Sequence, residues 1–218
     1  GKSAHGSLGG FKGDNAILKL AKVLEGLPRL TTIEGHFKPS QERALNNSIQ
    51  RAQSILNEPG VGEVIRHVSA NVGLIQGGTR PNMVPDYCEA IVDVRLPIGV
   101  DHQEIEDMLA SIVAESGVEG VTYELQWKSE GNYTEEDEAI VQTVKRNAEA
   151  VWNMEVIPAY QWASSDARDY RRVGIPTIQY GPSNTAGIHS YNENVDIQDV
   201  VNAGQIYVLS LCDLLGVQ

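Results

Sequence analysis

Ser164-Ser165-Asp166-Ala167-Arg168, Gly174-Ile175-Pro176-Thr177-Ile178-Gln179-Tyr180-Gly181-Pro182 and Gly187-Ile188-His189-Ser190-Tyr191-Asn192-Glu193 decide how this chain is read. They run as strand, glycine-proline loop, and a histidine shortly before a capped helix. In an open α/β sheet, ligands bind at loops leaving the carboxyl ends of strands. A histidine there can coordinate a metal through a neutral imidazole nitrogen. One histidine does not hold a catalytic metal, which takes about three protein ligands. Either His189 is structural, or its co-ligands lie elsewhere.

The surrounding residues extend the α/β pattern. Thr134-Glu135-Glu136-Asp137 predicts the start of a helix running to about Trp152, with Thr134 and Asp137 as its capping box. Val156 to Ala159 predicts a short strand, 166–173 a short helix and Ile175 to Tyr180 a second strand. Asp196-Ile197-Gln198-Asp199 caps a final helix, apolar at Ile197, Val200, Val201, Ile206, Val208 and Leu211. About two strands do not make a stable sheet. The segment from 129 onward is therefore expected to be part of a larger domain.

The first 128 residues have another rhythm. A helix is predicted over 13–27, with Ile17, Leu20, Ala21 and Leu24 on one face and Pro28 ending it. A second helix over 40–56 reads as polar, exposed and inserted. Strands are predicted over Glu63–Ile75 and Glu89–Leu96, the latter with Ala90, Val92 and Val94 opposite Ile91, Asp93 and Arg95. A helix over 101–115 buries Ile105, Met108, Leu109 and Ile112. Val121 to Trp127 is a further predicted strand. Helix, strand, strand, helix, strand is a ferredoxin-like α+β pattern lacking its first strand.

The 218 residues carry a net charge of −12, which argues against a phosphate backbone as partner. No apolar run approaches the ~20 residues of a membrane span. The polar opening Gly1-Lys2-Ser3-Ala4-His5 is not a signal peptide. Cys88 and Cys212 lack metal-knuckle spacing and read as reduced core residues, so a cytoplasmic protein is expected.

Three separated motifs resemble one family, the M20 metallopeptidases and amidohydrolases. Gly1 to Ser7 with Gly13-Asp14-Asn15-Ala16-Ile17 resembles the entry of its lid domain. Gly77 to Asp86, through Asp93-Val94-Arg95, resembles the lid's central hairpin. Ser165 to Glu193 resembles the end of the catalytic domain. The family includes aminoacylases, acetylornithine deacetylases, succinyl-diaminopimelate desuccinylases and carboxypeptidases.

The resemblance implies a ferredoxin-like lid (dimerisation) domain over 1–128, its first strand clipped, followed over 129–218 by the carboxy-terminal part of a zinc-peptidase-like α/β catalytic domain. It implies two divalent metal ions, zinc first, with cobalt or manganese also compatible. The amino-terminal catalytic half would supply a His-x-Asp pair, a bridging Asp and a Glu-Glu pair. This sequence has no His-x-Asp, and Glu135-Glu136 opens a solvated helix. The expected substrates are N-acyl amino acids or short peptides, and the expected partners are a second copy through the lid and the missing half.

Residue roles follow from the same resemblance. His189 matches a metal ligand, and is the one ligand this chain supplies. His5 matches a lid histidine that reaches a neighbouring subunit's site and stabilises the oxyanion of the tetrahedral intermediate. Asn82 matches a residue that hydrogen-bonds substrate, or is a turn residue before Pro85. Arg95 matches a position that binds the substrate carboxylate, or forms a surface salt bridge. Ser165, Asp166 and Arg168 match a substrate-side loop, although Asp166 would equally cap the short helix. Gly187 offers close backbone approach beside the metal, and Glu193 is either a support for the metal ligand or structural. The expected function is part of a metal-dependent amide hydrolase, inactive as this chain alone. The alternative is a non-catalytic dimerisation or ligand-binding module.

Overall fold

A computed structural model describes residues 1–182, 184, 187–188 and 190–217. The chain is a mixed α/β protein with small sheets, divided into two compact units. Unit 1 comprises Gly1–His36 and His67–Glu130, and unit 2 comprises Phe37–Arg66 and Gly131–Gln218.

Unit 1 is built around one antiparallel pair, β2 (Ser69–Gly77) and β4 (Cys88–Arg95). Residues Ala70 and Val94 face each other, as do Val72 and Val92, and the register slips between Val72 and Leu74. One extra residue, Gly73, is left outside the ladder there, as in a β-bulge. The inner face of the pair, with Ala70, Val92 and Val94, packs on Val23 of α1 (Ala16–Leu24) and on Ile105 and Ile112 of α3 (His102–Glu115). Leu27 and Leu30, on a 3-10 turn carrying Pro28, complete this core. Leu30 is fully buried, a contribution of about 1.5–3 kcal/mol. A reciprocal capping box starts α3: Asp101 accepts the amide of Gln103, and Glu104 accepts that of Asp101, each at 3.0 Å.

A second, two-residue ladder joins β1 (Ala4–His5) to β3 (Met83–Val84). Residues 121–127, predicted as a strand, have no regular structure. A strand persists only where another backbone accepts its ladder, and β1 pairs with β3 instead.

In unit 2, α2 (Glu42–Leu56) departs from the expected exposed helix. Leu45 and Ala52 are fully buried, and with Ile65 they pack against Phe37, Ile49, Tyr160 and Trp162. Ser48 fixes this contact: its Oγ accepts the amide of Tyr160 at 2.7 Å and donates to Ala44 O at 2.6 Å. Burial drives the Tyr160 hydroxyl up to about 12.

The other core of unit 2 lies between α4 (Ala139–Trp152) and α6 (Ile197–Leu215), around Val144, Ala148 and Ile206. Asn147 donates to Asp213 at 2.9 Å and Arg146 does so at 2.8 Å. Thr134 is not a cap for α4, which starts five residues later. Its hydroxyl donates to Thr177 O at 2.6 Å and accepts the Thr177 amide at 3.0 Å. Residues 156–159 and 175–180 form no strands. The Thr134 hydroxyl and Arg171, on α5 (Ala167–Arg172), hold Thr177 where a ladder would otherwise do so. The face of α6 opposite Ile206 is apolar and open, with Ile197 83% and Leu215 72% exposed. Among the described residues no helix is long and apolar enough to cross a membrane.

Candidate functional site

The candidate residues divide between the units. His5, Asn82 and Arg95 belong to unit 1; Ser165, Asp166, Arg168 and Gly187 belong to unit 2. His189 lies outside the described residues.

Unit 1 brings His5 and Asn82 together across 77 positions of sequence. His5 faces Met83 in the short ladder, and the next amide, Gly6 N–H, donates to Asn82 O at 2.8 Å. A Cβ on Gly6 would stand 3.2 Å from that oxygen and 3.3 Å from its carbon, so the contact uses the missing side chain. Backbone bonds fix the rest of the entry loop: Lys2 and Asp14 exchange bonds at 2.7 and 2.9 Å, and Ala16 N–H reaches Pro85 O at 2.9 Å. Lys19 pairs with Asp14, and that hydrogen bond holds the Asp14 carboxyl below its ordinary value. Asn15 then caps α1 through the amide of Leu18.

The His5 ring is exposed. Its Nδ1 accepts the Ser7 amide at 3.3 Å and lies 2.8 Å from Ser7 Oγ. Asn82 is also exposed. Arg95 is the last residue of β4, seven residues and roughly 23 Å along the strand from Cys88, which follows the Asn82 turn. Its guanidinium is engaged by Asp93, with Nε and Nη2 each 2.8 Å from Oδ2.

In unit 2, the Asp166 side chain caps nothing, although Asp166 precedes α5; its carbonyl accepts the amide of Asp169 at 3.0 Å. Ser165 O accepts the amide of Arg168 at 3.2 Å, and Arg168 donates through Nη1 to Ser164 Oγ at 2.9 Å. Asn132 ties this turn down, donating to Arg168 O at 2.9 Å. Arg171 in turn donates to Asn132 Oδ1 at 3.0 Å and to Thr177 O at 2.8 Å. Burial lowers its guanidinium from the ordinary arginine value. The Gly187 amide reaches Asn184 O at 2.9 Å, and its carbonyl accepts the Ser190 hydroxyl at 2.6 Å. A Cβ on Gly187 would stand 3.0 Å from Asn184 Nδ2.

Among the described residues no three His, Cys, Asp or Glu side chains gather where they could hold one ion. A catalytic metal takes about three protein ligands, so the described residues do not fit one on their own. Two groups were not singled out from sequence: Ser7, and the Asn132–Arg171 pair. The signal for Ser7 was present, since a hydroxyl two residues after a histidine is placed for a local turn contact. The Asn132–Arg171 pair spans 39 positions and carries no local signature.

Residues 1–121 match the peptidase dimerisation domain (M20_dimer). The whole chain aligns with aminoacylase-1 of Sus scrofa at 29% identity, covering 49% of that protein. Among solved structures, the M20 family metallo-carboxypeptidase Sso-CP2 from Sulfolobus solfataricus has a TM-score of 0.70 at 18% identity, over 97% of this chain and 55% of its own. The di-peptidase Dug1p from Saccharomyces cerevisiae gives 0.71 at 11%, over 96% and 51%. The chain spans about half the length of the curated relatives that it matches end to end. The motifs at both ends, the mixed α/β fold and these likenesses agree: the chain belongs to the M20 peptidase family, and residues 1–121 are its peptidase dimerisation domain.

Proposed function

We propose that this chain is the lid and carboxy-terminal catalytic segment of a metal-dependent hydrolase that cleaves an amide bond in N-acyl amino acids or short peptides. The observation that carries this reading is the pinning of an exposed His5 beside Asn82 by the Gly6–Asn82 bond. An imidazole fixed in this way can donate to the oxygen of a substrate carbonyl as negative charge develops there. Asn82 offers a further amide donor on the neighbouring turn, joined to the His5 turn through Gly6. Arg95, with Ser165, Asp166 and Arg168, is assigned to substrate contacts; at Arg95 a substrate carboxylate would displace Asp93.

His189 is assigned as one ligand of a two-ion centre, with zinc as the first choice. The remaining ligands and the general base are assigned to the part of such an enzyme that this chain does not span. Such a centre supplies Lewis-acid polarisation of the carbonyl. The lid pairs two copies, and His5 serves the neighbouring subunit.

The test uses the longer protein that contains this chain. His5→Ala lowers kcat by about 10²- to 10³-fold with metal content unchanged. His189→Ala lowers both kcat and metal content. Full metal occupancy in His189→Ala would remove that residue from the metal site. Undiminished turnover in His5→Ala would remove His5 from the chemistry.

A further inference from the structure

We infer that Ser7 is a positioning residue for His5: it engages Nδ1 through both its amide and its hydroxyl, and so makes Nε2–H the outward hydrogen-bond donor of the ring. This rests on the reading of His5 as an oxyanion donor, and adds which nitrogen donates and what holds it.

The geometry is local. Ser7 N–H lies 3.3 Å from His5 Nδ1, and Ser7 Oγ lies 2.8 Å from the same atom. A backbone amide nitrogen only donates. Nδ1 is therefore the acceptor of this pair, and in the neutral ring the proton sits on Nε2. The hydroxyl is a rotor that can point its proton at the same lone pair.

The backbone presenting Ser7 is anchored at both ends. Gly6 to Leu8 form one 3-10 turn, closed by Gly9 N–H to Gly6 O at 3.2 Å. Gly6 N–H is bonded to Asn82 O at 2.8 Å. With Nδ1 folded back on its own turn, the opposite ring nitrogen of this exposed side chain faces away from it.

The tautomer decides what the ring can do. Nε2–H stabilises a developing oxyanion, whereas a bare Nε2 lone pair would repel it. A wrong histidine tautomer costs about 10⁴-fold in turnover in a serine protease. Sequence position alone does not select between the two nitrogens; the Ser7 contact does.

The first test uses this chain, labelled with ¹⁵N-histidine. The His5 resonance among the five histidines is identified from its loss in His5→Gln. Ring nitrogen shifts are read near pH 8.5, about two units above the ordinary histidine value. The expected result is a protonated Nε2 and a bare Nδ1. In Ser7→Ala the Nδ1–H form gains population, and Ser7→Thr restores the original pattern. A predominant Nδ1–H form in the unmodified chain, or an unchanged spectrum in Ser7→Ala, overturns the inference.

The second test uses the longer enzyme. Ser7→Ala lowers kcat on the order of ten-fold at unchanged KM, the scale of a slightly misplaced catalytic group. His5→Gln, whose amide nitrogen reaches the Nε2 position, retains more turnover than His5→Asn, whose amide reaches only Nδ1. The reverse order would overturn Nε2–H as the donor. Undiminished kcat in His5→Ala would overturn the catalytic reading alone, and the spectra would still decide the tautomer.

Discussion

Gly6 donates its backbone N–H to the carbonyl oxygen of Asn82 at 2.8 Å, joining two segments 76 residues apart at the base of the His5 turn. The neighbouring register, Ala4 opposite Val84 and His5 opposite Met83, extends the contact by only two residues. This bond and the two-residue ladder align the candidate catalytic histidine with the turn that bears Asn82.

Gly6→Val tests that alignment. The branched side chain meets the Asn82 carbonyl at less than ordinary contact distance. Over-packing of this kind costs about 1–3 kcal/mol. The expected outcome is a lower denaturant midpoint, with faster amide exchange at residue 6 and at Ala16, whose bond to Pro85 lies behind the same turn. Unchanged exchange at both amides would show that the turn stands without the Gly6 contact.

The purified 218-residue chain is expected to hydrolyse nothing. The described residues gather no three metal-ligating side chains, and a general base is assigned to the part of the relatives outside this chain. The assay adds zinc, cobalt or manganese and a panel of N-acyl amino acids and dipeptides. Metal-dependent turnover by a preparation free of longer protein would contradict this.

Subunit mixing tests whether His5 serves the neighbouring subunit. Full-length His5→Ala and His189→Ala subunits, each nearly inactive alone, are exchanged and assayed. Each mixed dimer holds one site with an intact His189 and a donated His5. The expected ceiling is about half of the activity per mixed dimer. Heterodimers without recovered activity would assign His5 to its own subunit's chemistry or to none.

Asp213 predicts an acid-sensitive step in unit 2. Hydrogen bonds from Asn147 first and Arg146 second hold its carboxyl below the ordinary aspartate value. A depressed folded value means that the ionised form is bound better in the folded state. The stabilisation is complete above about pH 4, the unfolded value. It is lost as pH falls through the lower folded value. Urea midpoints from pH 7 down to 3 should fall less steeply in Asp213→Asn than in the parent chain. Parallel profiles would remove Asp213 from the acid response.

Local codes in the sequence were legible. The Asp196 cap, the apolar side of α3 and the alternation of β4 each depend on residues within a few positions of one another. What could not be read was pairwise. Val121 to Trp127 and Ile175 to Tyr180 read as strands, yet a ladder needs a second backbone, and among the described residues neither segment forms a ladder. Thr134 looked like a cap because its spacing to Asp137 fits one; its hydroxyl is instead spent on Thr177, 43 positions away. The helix expected over 40–56 reads as exposed because its polar residues outnumber its apolar ones. Ser48, one of those polar residues, is buried as the acceptor of the Tyr160 amide. At the candidate site, the positions of His5 and Asn82 could be read from motifs, while their adjacency and the grip of Ser7 could not.

The passage of residues 37–66 through unit 2 makes the two units inseparable by a single cut. The backbone changes unit at 36/37, 66/67 and 130/131. A product ending at residue 128 would carry Leu45, Ala52 and Ile65 without Tyr160 and Trp162, against which they pack. The complementary piece would begin after α2 and lose the Ser48 hydroxyl that accepts the Tyr160 amide. Protease nicking near 130 should therefore leave both products in one particle until denaturant is added. A recombinant dimerisation module made by simple truncation should be sticky. A soluble one calls for excision of 37–66 and direct splicing of His36 to His67, whose neighbour Val68 already donates its amide to Ile33 O at 2.9 Å.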